Sequence, residues 1–121
     1  MPARLVEANP YVEETRNQVA IMRGPIVYCL ESVDLPVGVR VLDVALSRST
    51  PLTAQRSNDL GGVMMVEGKG IARTSEKWSN TLYRDLPSEP AEREFHLVLV
   101  PYYAWDNRGK SEMTVWLPLE R

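Results

Sequence analysis

Apolar residues occur along the chain in short stretches, and nine prolines and seven glycines separate those stretches. Residues 18–23 and 26–31 place apolar side chains on both faces, which is typical of strands covered on two sides. Gly24-Pro25 interrupts the two stretches, and because Pro25 donates no backbone hydrogen bond we expect a bend or bulge there. Apolar positions at helical spacing do not recur over any long run. The pattern therefore predicts an all-β chain.

Two further stretches are less regular. Residues 39–46 alternate imperfectly and fit either a strand or one short helix around 44–46. Residues 62–67 and 71–73 flank Gly68-Lys69-Gly70, which predicts a hairpin with glycine at positive φ. The hydrophilic segment 74–94, which contains Pro87 and Pro90, is the longest predicted loop.

The end of the chain predicts a second hairpin. Residues 95–101 and 112–118 are apolar, and the polar turn Asp106-Asn107-Arg108-Gly109 lies between them. Asp and Asn side chains bond nearby backbone in turns, and Gly109 can adopt a left-handed conformation. In the first of these strands we expect Phe95, Leu97 and Leu99 to face the core.

These elements predict about six to eight short strands in one domain of residues 1–121. Residues 1–17 form a lead-in strand and loop. Two packed antiparallel sheets would bury the apolar faces, so we predict an antiparallel β-sandwich of jelly-roll type with at most one short helix. A small closed β-barrel is the alternative.

Composition excludes several classes of partner. The formal charge of -2 makes nucleic acid a poor partner, because phosphate binding needs a basic face. No apolar run approaches the ~20 residues of a membrane span. The start of the chain lacks the apolar core of a signal peptide, which favours a cytoplasmic location. One Cys and one His do not readily supply a zinc site, so we expect no cofactor or metal in the chain.

The sequence assembles no catalytic site. A glycosidase needs two carboxyl groups about 5 to 9.5 Å apart, and nothing brings any two acidic side chains together; the candidates are Glu13, Glu14, Glu31, Asp34, Asp43, Glu67, Asp85, Asp106 and Glu112. Cys29 and His96 could form a thiolate–imidazole dyad. Both lie in predicted apolar strands, where a thiol is usually an inert small hydrophobe. We therefore predict no catalytic residue.

Aromatic residues and one arginine are the candidates for contact with a sugar or with another protein surface. Flat rings stack on sugar faces, and Tyr and Trp are also enriched at protein interfaces. In neighbouring strands they more often pack in the core or across strands. The candidate residues are Trp78, Tyr83, Tyr102, Tyr103, Trp105, Arg108 and Trp116.

Two motifs carry a family resemblance. The string RGPIVYCLE at residues 23–31 resembles a segment near the C-terminal end of glycoside hydrolase family 127, the β-L-arabinofuranosidase family. The strings VPYYAWDNRG at 100–109 and EMTVWL at 112–117 resemble the closing motif of the same proteins. Residues 1–10 resemble their lead-in to the last domain. Residues 38–94 match less clearly, and Lys110-Ser111 replaces an expected Gly-Pro-Gly-like turn.

The resemblance implies a modular enzyme. In that family a helical barrel carries catalysis, with a cysteine nucleophile, glutamates and a zinc ion bound by Cys and Glu, and β-sandwich domains follow it. No residue of this chain matches that catalytic motif. The resemblance thus implies a non-catalytic C-terminal module that packs on the preceding catalytic and sandwich domains. A homodimer through this module is its further implication. The alternative function is a carbohydrate-binding module for an arabinose-containing glycan, which the predicted sandwich and the aromatic candidates suggest.

Overall fold

The computed structural model describes residues 1–58, 61–73, 80–86, 92–105, 108–109 and 111–120. Within them it contains nine strands and four 3₁₀ helices. The strands are β1 (Ala3–Val6), β2 (Gln18–Arg23), β3 (Ile26–Glu31), β4 (Val44–Ser47), β5 (Thr53–Arg56), β6 (Met64–Arg73), β7 (Glu92–Pro101), β8 (Met113–Thr114) and β9 (Leu117–Glu120). The 3₁₀ helices are Glu13–Thr15, Ser32–Asp34, Val41–Asp43 and Tyr102–Ala104. None of the described helices is long and apolar enough to cross a membrane.

Six strands close into a barrel. Their order is β2, β9, β4, β6, β7 and β3, and β3 pairs with β2 to complete the ring. The β4–β9 pair is parallel and the other neighbours are antiparallel. β1 extends β2, β5 extends β6, and β8 pairs with β3.

The predicted β-sandwich is therefore wrong, and the alternative of a small closed barrel describes the fold. The reason lies in the β2–β3 hairpin. Met22 pairs with Val27 and Arg23 with Ile26, so this hairpin joins the two ends of what would otherwise be an open sheet. Each sheet of a sandwich has open edges, whereas a sheet that closes on itself as a barrel has none.

Alternate side chains of the six strands fill the barrel. The buried cluster consists of Val19, Ile21, Tyr28, Leu30, Val41, Val44, Leu46, Val66, Leu97, Leu99 and Leu117. Tyr28 brings a polar side-chain group into this cluster, and its hydroxyl donates to the carbonyl of Met64 at 2.8 Å. This bond offsets the cost of burying the hydroxyl.

The structure confirms the strand prediction for residues 18–23 and 26–31 and corrects their connection. Gly24 has a φ of 59° and forms a two-residue hairpin loop with Pro25, so the chain reverses there instead of bending. The predicted strand or helix around 44–46 is a strand, β4, which follows the 3₁₀ helix Val41–Asp43.

The predicted hairpin at Gly68-Lys69-Gly70 is wrong, because all three residues lie inside the ten-residue strand β6. Gly68 pairs with Leu97 and Gly70 pairs with Phe95 of β7. A Cβ atom at Gly70 would lie 2.6 Å from the Phe95 ring. These glycines therefore provide space for neighbouring side chains and do not form a turn.

The predicted terminal hairpin is also wrong. β7 pairs with β6 and β3, whereas β8 pairs with β3 and β9 pairs with β2 and β4. The chain leaves β7 through the 3₁₀ helix Tyr102–Ala104, which directs it across β3 before it reaches β9. Gly109 has the expected left-handed φ of 94°, and Asp106 and Asn107 lie outside the described residues.

Candidate functional site

An open, apolar groove of about 490 Å³ lies on one side of the barrel, and we call it the aromatic groove. Three parts of the chain build it: the β2–β3 turn with the start of β3, the 3₁₀ helix after β7, and the segment between β8 and β9. Its lining residues are Pro25, Ile26, Val27, Tyr102, Tyr103 and Val115. Among the residues that the structure describes, no acidic or basic side chain lines it.

The 3₁₀ helix after β7 presents the groove's two tyrosines. The backbone N–H of Trp105 donates to the carbonyl of Tyr102 at 3.1 Å, which closes the turn. The rings of Tyr102 and Trp105 lie with centroids 6.3 Å apart and planes inclined by 32°. Tyr102 is 49% exposed, Tyr103 68% and Trp105 40%. Of the candidate residues, the structure brings these three together on one surface.

The other aromatic candidates lie elsewhere. Trp78 is outside the described residues. Tyr83 is 87% exposed in the described segment 80–86 and does not line the groove. Trp116 is partly buried and lines a separate depression with Val41 and Leu42.

Sequence reasoning missed the apolar half of the groove, which consists of Ile26, Val27 and Val115. Residues 26–31 are apolar on both faces, and we expected both faces to be covered. The two residues at the start of β3 are in fact partly exposed. Their exposure could have been inferred from their position directly after the Gly24-Pro25 turn, because residues at the end of a hairpin are covered less by neighbouring strands.

Arg108 is bonded to two carboxylates, and its side chain is 27% exposed. Its Nη1 and Nη2 atoms each donate to a carboxylate oxygen of Asp34 at 2.7 Å, and Nη2 also donates to Glu31 at 3.3 Å. The hydrogen bond to Asp34 raises the pKa of the Arg108 guanidinium. Glu31 is completely buried. The contact is a bidentate, charge-assisted pair of the kind that fixes geometry strongly.

Backbone contacts extend this attachment. The Ser32 N–H donates to the carbonyl of Glu112 at 2.9 Å, and the Glu112 N–H donates to the Ser32 hydroxyl at 3.0 Å. Arg108 and Glu112 are therefore attached to the end of β3 and to the 3₁₀ helix Ser32–Asp34 that follows it. This supports a structural role for Arg108, and its assignment as a sugar or interface contact stays a prediction.

The carboxylates that the structure brings together do not form a glycosidase pair. Glu31 and Asp34 share Arg108, but a substrate cannot reach the buried Glu31. Glu92 and Glu120 share Arg73, and a hydrogen bond between the two carboxyls raises the pKa of Glu92. Carboxyls in direct contact leave no room for the sugar that a glycosidase places between them. Glu92 and Glu120 were not among the sequence candidates, because Glu92 was placed in the predicted loop 74–94 and Glu120 lies beyond the last predicted strand.

Cys29 and His96 do not form a dyad. His96 lies on the outer face of β7 with Nε2 3.8 Å from Glu67, while Leu97 and Leu99 face the core as expected. Cys29 of β3 pairs with Val100 of β7, which lies four residues after His96 on that strand. Four residues of a strand span about 13 Å, so Cys29 and His96 are about that far apart. Burial, and next the charge of Glu31, raises the pKa of the Cys29 thiol to about 11. The thiol is therefore protonated at neutral pH and a poor nucleophile.

This predicts that Cys29 resists thiol reagents in the folded protein. At pH 8 we expect reaction with a disulfide reagent to be at least about a hundredfold slower in buffer than in guanidinium chloride. Because the pKa of the thiol is higher in the folded protein than in the unfolded chain, the folded state favours the neutral thiol. The resulting stabilisation is complete below about pH 9 and is lost as the pH rises towards 11. Equal reaction rates with and without denaturant would show that Cys29 is accessible and would contradict the buried assignment.

The described residues do not fit the zinc site that the family resemblance implies for the whole enzyme. Among them, His, Cys, Asp and Glu side chains form no group of three that could hold a metal ion. The one cysteine is a buried, protonated thiol, and zinc binds the thiolate. The absence of a cofactor from the chain stays a prediction.

The barrel and the aromatic groove define a small all-β domain with an exposed apolar face. Comparison with known proteins then gives its family. The sequence model of the glycoside hydrolase family 127 C-terminal domain matches residues 3–118, and the chain belongs to that family.

The matching proteins are much longer than this chain. The non-reducing end β-L-arabinofuranosidase of Bifidobacterium longum subsp. longum is 36% identical over 119 residues, which is 96% of this chain and 18% of that protein. A crystal structure of a family 127 β-L-arabinofuranosidase from Geobacillus stearothermophilus T6 superposes with a TM-score of 0.86 at 39% identity, covering 99% of this chain and 18% of that one. A further glycoside hydrolase structure gives a TM-score of 0.87 at 42% identity, covering 100% and 20%.

Proposed function

We propose that this domain is a non-catalytic accessory module of a β-L-arabinofuranosidase-like glycoside hydrolase, and that the aromatic groove packs against the catalytic part of that enzyme. The observation that carries the proposal is the exposed groove itself, apolar along its whole lining and flanked by Trp105. Exposed apolar patches of this kind usually mark protein contacts.

The lengths of the relatives agree with this role. The chain spans about a fifth of each matched protein, so those proteins contain about four-fifths of their length outside the matching domain. Tyrosine and tryptophan are enriched at protein interfaces because they bury a large area and retain a polar group for the rim. The carboxylate arrangements described above do not suit hydrolysis, which supports a role other than catalysis.

Without its covering partner the groove is expected to associate with a second copy of the chain. Tyr103→Glu places a charge in the groove's most exposed aromatic position and should abolish that association, because burying an unpaired carboxylate is costly. Sedimentation velocity over a range of concentrations measures the effect. Tyr11→Glu is the matched control, since Tyr11 is 92% exposed and does not line the groove.

Two results would contradict the packing proposal. One is a wild-type chain that stays monomeric at every concentration. The other is equal association of the Tyr103→Glu and Tyr11→Glu variants, which would locate the contact elsewhere.

Carbohydrate binding is the second candidate function. The exposed and mutually inclined rings of Tyr102 and Trp105 favour it, because such rings stack on sugar faces. The groove's lining supplies few polar groups to orient sugar hydroxyls. Titration with an arabinofuranoside separates the two proposals: chemical-shift changes at Trp105 that saturate in the millimolar range would favour sugar binding over packing.

A further inference from the structure

A second depression differs from the aromatic groove because six of its ten lining residues are polar or charged. It has a volume of about 270 Å³ and lies between the end of β1, the 3₁₀ helix Glu13–Thr15, the start of β2 and the turn after β4. Its polar lining consists of Glu7, Thr15, Arg16, Asn17, Gln18 and Arg48, and we call it the arginine pocket. The buried Val19 and the partly buried Leu119 supply an apolar wall.

Backbone contacts hold this pocket in shape. Asn17 has a φ of 63°, in the left-handed region where non-glycine residues are uncommon. Its carbonyl accepts a hydrogen bond from the Leu119 N–H at 3.0 Å, which ties the turn to β9. The Arg16 Nε donates to the carbonyl of Pro10 at 2.8 Å and leaves the terminal nitrogens of the guanidinium for other partners.

Several side chains of the pocket have unused hydrogen-bonding capacity. Within the part of the chain that the structure describes, the side chains of Glu7, Asn17, Gln18 and Arg48 make no hydrogen bond or ion pair. Two arginines against one glutamate leave the lining with an excess of one positive charge. The pocket is thus suited to a ligand with one negative charge.

We propose that the arginine pocket binds a sugar acid of monosaccharide size. A guanidinium recognises a carboxylate through two parallel hydrogen bonds. The amides of Asn17 and Gln18 and the carboxylate of Glu7 can bond hydroxyl groups, and the apolar wall suits the C–H face of a sugar ring. The pocket volume of about 270 Å³ is just below the range of about 300 to 1,000 Å³ for drug-sized ligands, which fits a single sugar residue.

The test is titration of the 121-residue chain with D-galacturonate, followed by NMR, with D-galactose as the neutral match. We expect saturable shifts at the pocket residues for galacturonate, with at least about tenfold weaker binding of galactose. Binding should weaken as NaCl is raised, because the ion pair is exposed to solvent. Acetate tests the carboxylate alone and should bind more weakly than galacturonate.

Variants decide which residues are responsible. Arg48→Ala should weaken galacturonate binding about tenfold, whereas Glu7→Gln should leave it at least as tight because a like charge is removed. Arg16→Lys keeps the positive charge but removes the two parallel hydrogen bonds that a guanidinium can donate. It also provides a conservative variant in case an alanine variant does not fold. Arg93→Ala is the control, since Arg93 is an exposed β7 residue that does not line the pocket.

Four outcomes would overturn the proposal. They are no shift at about 50 mM galacturonate, equal binding of galactose, acetate binding as tight as galacturonate, and an Arg48→Ala variant that binds like the wild type in a folded state.

Discussion

Replacing Arg108 with alanine is expected to lower the free energy of unfolding by about 3 kcal/mol. The substitution removes a guanidinium that bonds Asp34 twice at 2.7 Å and contacts Glu31, whose side chain is fully buried. The loss arises mainly because the carboxylates of Glu31 and Asp34 lose the guanidinium that bonds them while Glu31 stays buried. Urea unfolding followed by tryptophan fluorescence measures the change.

Two variants control this experiment. Arg108→Ala combined with Glu31→Gln should recover part of the loss, because a neutral amide is cheaper to bury than a carboxylate. Arg40→Ala removes the ion pair between Arg40 and Glu112, which is exposed on both sides and is expected to contribute little. If Arg108→Ala were no more destabilising than Arg40→Ala, Arg108 would not be the fastening point of its segment.

The second large effect is expected at Gly70, where alanine should cost about 2 kcal/mol through overpacking. Its Cβ would lie 2.6 Å from the Phe95 Cζ atom, inside van der Waals contact. The ring packs over the glycine across the β6–β7 pair, and Phe95 also contacts the core cluster. Thermal or urea unfolding of the variant measures the cost.

Phe95→Leu provides the matched background for Gly70. With the ring gone, the same Gly70→Ala change should cost less than about 0.5 kcal/mol, which is a non-additive result typical of residues in contact. Gly70→Asn should be worse than alanine, because its side chain is larger. If asparagine were better tolerated than alanine, the glycine would be required for a turn conformation and the strand assignment at this site would be wrong.

The sequence predicted the local elements better than their pairing. The strands at 18–23 and 26–31 followed from their apolar faces and from the glycine between them. The failures at Gly68-Lys69-Gly70 and at residues 95–118 have two different causes. First, the sequence does not distinguish a glycine that provides space for a neighbouring ring from a glycine that forms a turn. Second, strands that are consecutive in the chain need not be neighbours in the barrel.

The residues of the candidate site could likewise be predicted only in part. Tyr102 and Tyr103 of the aromatic groove were named from the sequence as candidate contact residues, although aromatic residues in neighbouring strands were expected more often to pack in the core. Their apolar neighbours Ile26 and Val27 were not, because exposure depends on where the barrel's covering strands end. Arg108 was named only as a candidate contact residue, because its partners Glu31 and Asp34 precede it by more than seventy residues and the sequence does not show that the fold brings them together.

We propose that this domain carries no glycosidase activity of its own, and an assay of aryl β-L-arabinofuranoside hydrolysis measures that activity. The full-length Bifidobacterium longum relative serves as the positive control. We expect the purified 121-residue chain to release the aryl alcohol no faster than buffer does. Saturable turnover by the chain alone, retained through further purification, would contradict it.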